Sequence, residues 1–186
     1  YYIACVLILV GLFMLIPIAN AIIFHDLDKY LYSFIISSGL SIIIGLVLYY
    51  KTEYDKKMRL SLKASLFFVM LIWLITALFA ALPFLISGDM SFIDAYFESM
   101  SGITSTGFTL YDSDMLPNSI AIWRCILQWF GGLGIIFLLL VISPSIANLK
   151  RLYIAEGKTE QINPNIAHNA KNFIKIYLVL TIIGIS

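Results

Sequence analysis

Residues 104–109 read Thr-Ser-Thr-Gly-Phe-Thr. The run holds no general base and no His or Cys ligand. What it offers is uncharged oxygen: the hydroxyls of Thr104, Ser105 and Thr106, and backbone carbonyls that Gly107 leaves unhindered. Carbonyl oxygens aligned along one side replace the hydration shell of a permeating cation, and hydroxyls add further ligands. A second group of chemistry-bearing residues surrounds the run: Asp94, Glu98, Asp112 and Asp114. Carboxylates this near one another in sequence are the raw material of acid–base catalysis. The segment has no histidine and no metal-ligand spacing, which weighs against an enzyme.

These oxygens need a scaffold that holds unpaired backbone in place. "SFIDAYFESMSG" (91–102) reads as a short helix, with Ser91 and Asp94 as a capping pair and Gly102 as the stop. About eleven residues at ~1.5 Å each give ~16 Å, half a bilayer. The chain therefore enters partway as a helix and leaves as an extended strand. Non-helical backbone at that depth is tolerated only where it is buried in protein or faces a watery path. The helix would point the negative end of its dipole at a waiting cation. The plainer alternative is an extracellular loop with an amphipathic helix lying on the surface.

Composition places this segment among membrane helices. Of 186 residues, 61% are hydrophobic and 12% charged, with a mean hydropathy of +0.94. Soluble domains carry roughly twice that share of charge. Apolar runs at 1–24, 31–50, 60–87 and 117–147 each suffice for a span, and another begins near 172. The first run is too long for a signal peptide and lacks a basic leader. Both chain ends read as cuts.

Basic residues set the topology. Lys51, Lys56, Lys57, Arg59 and Lys63 surround one connection; Lys150, Arg151, Lys158, Lys171 and Lys175 surround another. The positive-inside rule puts both in the cytoplasm, with the N-terminus. Residues 25–30 and 87–116 then face outward. Asp26, Asp28, Asp89, Asp94, Glu98, Asp112 and Asp114 fall on that side. They either concentrate cations at a pore mouth or simply remain where lysine is excluded. A net charge of +1 leaves no basic face for nucleic acid. Cys5 and Cys125 read as packed thiols, and His25 and His168 as ordinary polar-segment residues.

Two residues inside apolar runs require partners or reasons. Arg124 lies roughly 10 Å into its span. Intramembrane charges are usually paired, and Glu98 is the natural partner, as a brace behind the strand; snorkelling to the headgroups is the alternative. "FGGLGII" (130–136) is either a hinge or a close-packing surface, and packing is favoured.

Longer stretches carry a resemblance. "DAYFESMSGITSTGFTL" (94–110), "LPNSIAIWRCILQWFGGLGIIFLLLVISP" (116–144) and "RLYIAEG" (151–157) resemble the Trk/Ktr/HKT superfamily of potassium transporters, its TrkH-like pore-forming subunits in particular. The resemblance implies an all-α membrane fold built from potassium-channel-like membrane–pore–membrane repeats, preceded by two extra helices. Residues 1–59 would be that extension and 60–147 the first repeat. Residues 148–171 would be a cytoplasmic connector, and 172–186 the start of the second repeat's outer helix. The resemblance further implies potassium ligands from the carbonyls of Ser105, Thr106, Gly107 and Phe108, with Thr104 at the inner start of the filter. A glycine at 107 is the family's potassium-selective choice; a serine there accompanies sodium preference in some relatives, so a sodium-permeable protein is the alternative. Phe108 is bulkier than the residue expected there. The implied setting is a cell membrane, plasma or bacterial inner. The implied partners are three further repeats of the same chain, a second copy and a cytoplasmic nucleotide-binding regulatory subunit. The transported ion is K+, and no other cofactor is implied.

Overall fold

The computed structural model describes residues 1–26, 28–52, 62–112, 116–134 and 166–185. Its described elements are helices: α1 (Tyr2–Phe13), α2 (Leu15–Ile23), α3 (Asp28–Lys51), α4 (Leu62–Ala80), α5 (Leu82–Ile86), α6 (Phe92–Ile103), α7 (118–134) and α8 (Ile166–Ile185). Among the described residues, Tyr2–Ile23, Asp28–Lys51 and Leu66–Ile86 are long and apolar enough to cross a membrane. The chain divides into two compact units. One is Tyr1–Arg59 with Phe67–Gly132, and the other Leu60–Leu66 with Leu133–Ser186.

Two apolar runs expected as single helices are interrupted, and proline is the reason. Pro17 has no N–H to give the Phe13 carbonyl, and α1 ends at Phe13. Pro83 stands in the same relation to Phe79, and α4 ends one residue later, at Ala80. At this second break the Trp123 indole N–H donates to the Ala80 carbonyl, 3.1 Å away. A core of Met14, Phe34, Ala77, Ala80, Phe84, Ala95, Ile120, Trp123 and Leu127 gathers around these points. The Phe34 and Trp123 rings meet edge to face at 6.1 Å.

α1 and α3 lie close because glycine permits it. A Cβ on Gly11 would stand 2.6 Å from Ile42 Cγ1, and one on Gly45 2.7 Å from Ile8 Cγ1. Ser38 Oγ donates to the Gly11 carbonyl across the same seam, at 2.7 Å. Small residues and interhelical hydrogen bonds replace the hydrophobic effect as glue between apolar helices.

Three connections meet at one end of the first unit. The α2–α3 turn closes with His25 in left-handed backbone (φ 52°) and a bond from Asp26 N–H to the Ala21 carbonyl, a pattern that usually carries glycine. Asp26 Oδ2 accepts the Ser119 N–H in the first turn of α7 at 2.7 Å, capping a helix 93 residues away. Lys29 pairs with Asp89 between α5 and α6. Lys29, a cation outside both basic clusters, thus has a local counter-charge. Cys5 and Cys125 are free thiols; Cys5 is half-buried, while Cys125 is exposed and not packed as expected.

α8 begins at Ile166, six residues before the expected run at 172. Its start includes His168, Asn169 and Lys171, which hydropathy had assigned to the connector; helical hydrogen bonding does not require apolar side chains. The expected assignments for Lys56, Lys57, Arg59, Asp114, Lys150, Arg151 and Lys158 lie outside the described residues, as do the second half of the 117–147 run and most of the connector.

Replacing Gly45 by valine overpacks the α1–α3 seam, at a cost of about 1–3 kcal/mol. The Gly45→Val protein should melt below wild type in detergent. Gly39→Val should not, because nothing lies within 4 Å of a Cβ at Gly39. Equal losses at both glycines would show that the seam is not tightly packed.

Candidate functional site

α6 is twelve residues long, about 18 Å at 1.5 Å per residue and too short to span a bilayer. Ser91 caps it. Its Oγ accepts the Asp94 N–H at 3.3 Å and donates to Asp94 Oδ2 at 2.6 Å. The helix runs one residue beyond the expected stop. Gly102 stays helical, and a Cβ there would press on Leu127 Cβ at 2.9 Å. Its role is to admit α7, while the reversal is made by Ser105 at φ 56°.

From Thr104 onward the backbone is organised by α6. The Ser105 N–H donates to the Gly102 carbonyl at 2.9 Å. The N–H groups of Thr106 and Gly107 both donate to the Ser101 carbonyl, at 3.0 and 3.3 Å. In a trans peptide the carbonyl of one residue points opposite to the next residue's N–H, and no cis bond is present among the described residues. The carbonyls of Thr104, Ser105 and Thr106 therefore face away from α6, on the exposed side of the strand. Phe108 is arranged differently. Its carbonyl accepts from Ser101 Oγ at 2.7 Å and so turns back toward α6. The residue is 68% exposed. Gly107 has φ 80°, and nothing lies within 4 Å of a Cβ built on it. Backbone angle, with no steric neighbour, is what calls for glycine there.

The hydroxyls of this run are also placed. Thr104 Oγ1 donates to the Met100 carbonyl at 2.8 Å and lies 2.7 Å from Thr106 Oγ1. Ser105 Oγ donates to the Gln128 carbonyl of α7 at 2.9 Å. Ser99 Oγ donates to the Ala77 carbonyl at 2.7 Å, tying α6 to α4.

The structure brings Glu98 and Arg124 together. Glu98 is fully buried, and Arg124 Nε lies 2.5 Å from its Oε1. The other oxygen, Oε2, accepts the Leu110 N–H at 3.0 Å. Oε1 accepts no aligned hydrogen bond, so attraction between the charges holds that side. One carboxylate thus joins α6, α7 and the strand leaving the site. Asp94 and Asp26 have other roles: Asp94 caps α6, and Asp26 caps α7. Among the described residues, no three His, Cys, Asp or Glu side chains gather as a metal site.

Known proteins match this architecture. The family model TrkH, described as a cation transport protein, matches residues 31–186. The chain belongs to the TrkH family. It is 36% identical over 180 residues to an uncharacterised cation transporter of Methanocaldococcus jannaschii, covering 95% of this chain and 37% of that one. It is 36% identical over 177 residues to the Trk system potassium uptake protein TrkH of Escherichia coli, covering 91% and 36%. The crystal structure of the potassium transporter TrkH from Vibrio parahaemolyticus superposes with a TM-score of 0.77 at 32% identity, over 97% of this chain and 36% of that one. The chain spans a little over a third of the length of these relatives. The fold is the all-helical TrkH membrane fold, and the chain is a multi-pass membrane segment. TrkH-family proteins are transporters, and the acid–base enzyme reading of the acidic residues is set aside.

Sequence reasoning passed over Ser101, whose carbonyl and hydroxyl organise Thr106, Gly107 and Phe108. The only signal for it was its place in the quoted stretch 94–110 that carries the family resemblance.

Removing one member of a buried ion pair strands the other, at a cost of about 3–5 kcal/mol. Glu98→Gln and Arg124→Gln should each lower the melting temperature of the complete gene product in detergent. The double variant should lose less than the two losses combined. Strict additivity would mean that the two charges do not support each other.

Proposed function

We propose that this chain supplies one quarter of the selectivity filter of a TrkH-type potassium uptake protein, with α4–α5 as outer helix, α6 as pore helix, 104–108 as filter and α7 as inner helix. One observation carries the reading: the Thr106 and Gly107 amides converge on Ser101, which turns the carbonyls of Ser105 and Thr106 outward. Those carbonyls, with that of Thr104 at the inner start and that of Gly107, are the proposed potassium ligands. Phe108 lies at the outer end and contributes shape, since its carbonyl is engaged by Ser101. The Glu98–Arg124 pair braces the strand from behind.

Transport in this reading involves no covalent step. A potassium ion sheds water as carbonyl oxygens replace it, and the negative end of α6 lowers the cost of a cation waiting at the inner side. One quarter of a ring cannot enclose an ion. The reading therefore includes three further repeats, a bilayer, a second copy and a cytoplasmic nucleotide-binding subunit. The N-terminus lies in the cytoplasm, and the acidic connections face outward. The potassium uptake of the E. coli relative, as named, supports the choice of ion.

The test is paired potassium and sodium flux through the complete gene product in liposomes. Wild type should favour potassium. Gly107→Ser should lower the flux ratio by about tenfold, the scale set by an L-residue held in left-handed backbone. Gly107→Asp should abolish uptake while the protein still reaches the membrane. A wild type without potassium preference, or an unchanged ratio in Gly107→Ser, would contradict the filter assignment.

A further inference from the structure

The inner end of the filter rests on α7 as well as on α6. A Cβ built on Gly131 would stand 1.9 Å from the Ile103 carbonyl oxygen and 2.6 Å from Ser105 Oγ. The nearer obstacle is backbone, which cannot swing aside as a side-chain tip can. Gly131 is buried, so its missing side chain leaves the place that Ile103 occupies. Three residues earlier on the same helix, the Gln128 carbonyl accepts the Ser105 hydroxyl at 2.9 Å. Ser105 is held at φ 56°, a conformation costly for a residue with a Cβ. Its side-chain bond to α7 offsets that cost. The Ser105 carbonyl is also one of those turned outward.

We propose that Gly131 and the Ser105–Gln128 bond form a seat on α7 that sets the position of the first ion-facing carbonyls, making Gly131 a positioning residue for ion selectivity. This rests on the filter reading above. Any shift of α7 at residues 128–131 is passed to the Ile103 backbone with no side chain between, and to Ser105 through its hydroxyl. A glycine kept only for helix packing would affect the amount of folded protein and leave ion preference untouched.

The experiment compares the complete gene product with Gly131→Ala and Ser105→Gly, each in liposomes at matched protein amounts, by potassium and sodium flux. Ser105→Gly accommodates the positive φ and removes the side chain that bonds Gln128, so it remains informative if Gly131→Ala is poorly recovered. Each recovered variant should show a potassium-to-sodium ratio about fivefold below wild type, the worth of one typical hydrogen bond. A selective wild type with unchanged ratios in the recovered variants would overturn the seat alone and leave the filter reading standing. A wild type that does not carry potassium would overturn both.

Discussion

One carbonyl oxygen, that of Ser101, takes the N–H groups of both Thr106 and Gly107, and the proposed site depends on that convergence. Two successive amides drawn to one acceptor force the intervening peptides into the same orientation, so their carbonyls line one side. A regular strand would alternate them. The convergence requires backbone outside the ordinary regions, and it is obtained at Ser105 and Gly107, both at positive φ. It also requires the end of α6 to stay fixed. Glu98 contributes to that by holding the Leu110 amide on one oxygen and Arg124 on the other.

The rest of the first unit holds α6 still. Ser99 fastens it to α4, Gly102 lets it lie against Leu127, and Trp123 of α7 reaches the Ala80 carbonyl at the α4–α5 break. α7 is anchored at its start by Asp26, which lies between α2 and α3. The two N-terminal spans, α1–α2 and α3, are thus linked to the site through the cap on α7. Three of these four links are hydrogen bonds to backbone. In a low-dielectric setting such bonds are well defined and expensive to leave unmade.

Much of this was legible in the sequence. Hydropathy located the apolar runs, and the Ser91–Asp94 spacing located the start of α6. A buried Arg124 implied an acidic partner, and the glycine-centred hexapeptide marked unusual backbone. The rest was hidden for physical reasons. Hydropathy reports the solvent a segment prefers and not its internal hydrogen bonding, so the breaks at Pro17 and Pro83 and the polar start of α8 did not register. Gly102 looked like a helix stop because glycine often ends helices. Its use in packing against Leu127 involves a residue 25 positions later, and local pattern cannot show that. The same holds for Gly131 under Ile103. The role of Ser101 was hard to read because its two amide contacts go to its own carbonyl, a group every residue possesses.

The central claim is that the carbonyls of Ser105 and Thr106 face an ion. The most direct measurement is an anomalous-scattering map of the complete gene product crystallised with thallium(I) in place of potassium. The account predicts a peak on the exposed side of the strand, within coordination distance of those two carbonyl oxygens. Peaks confined to other places, with those carbonyls directed at α6, would contradict it.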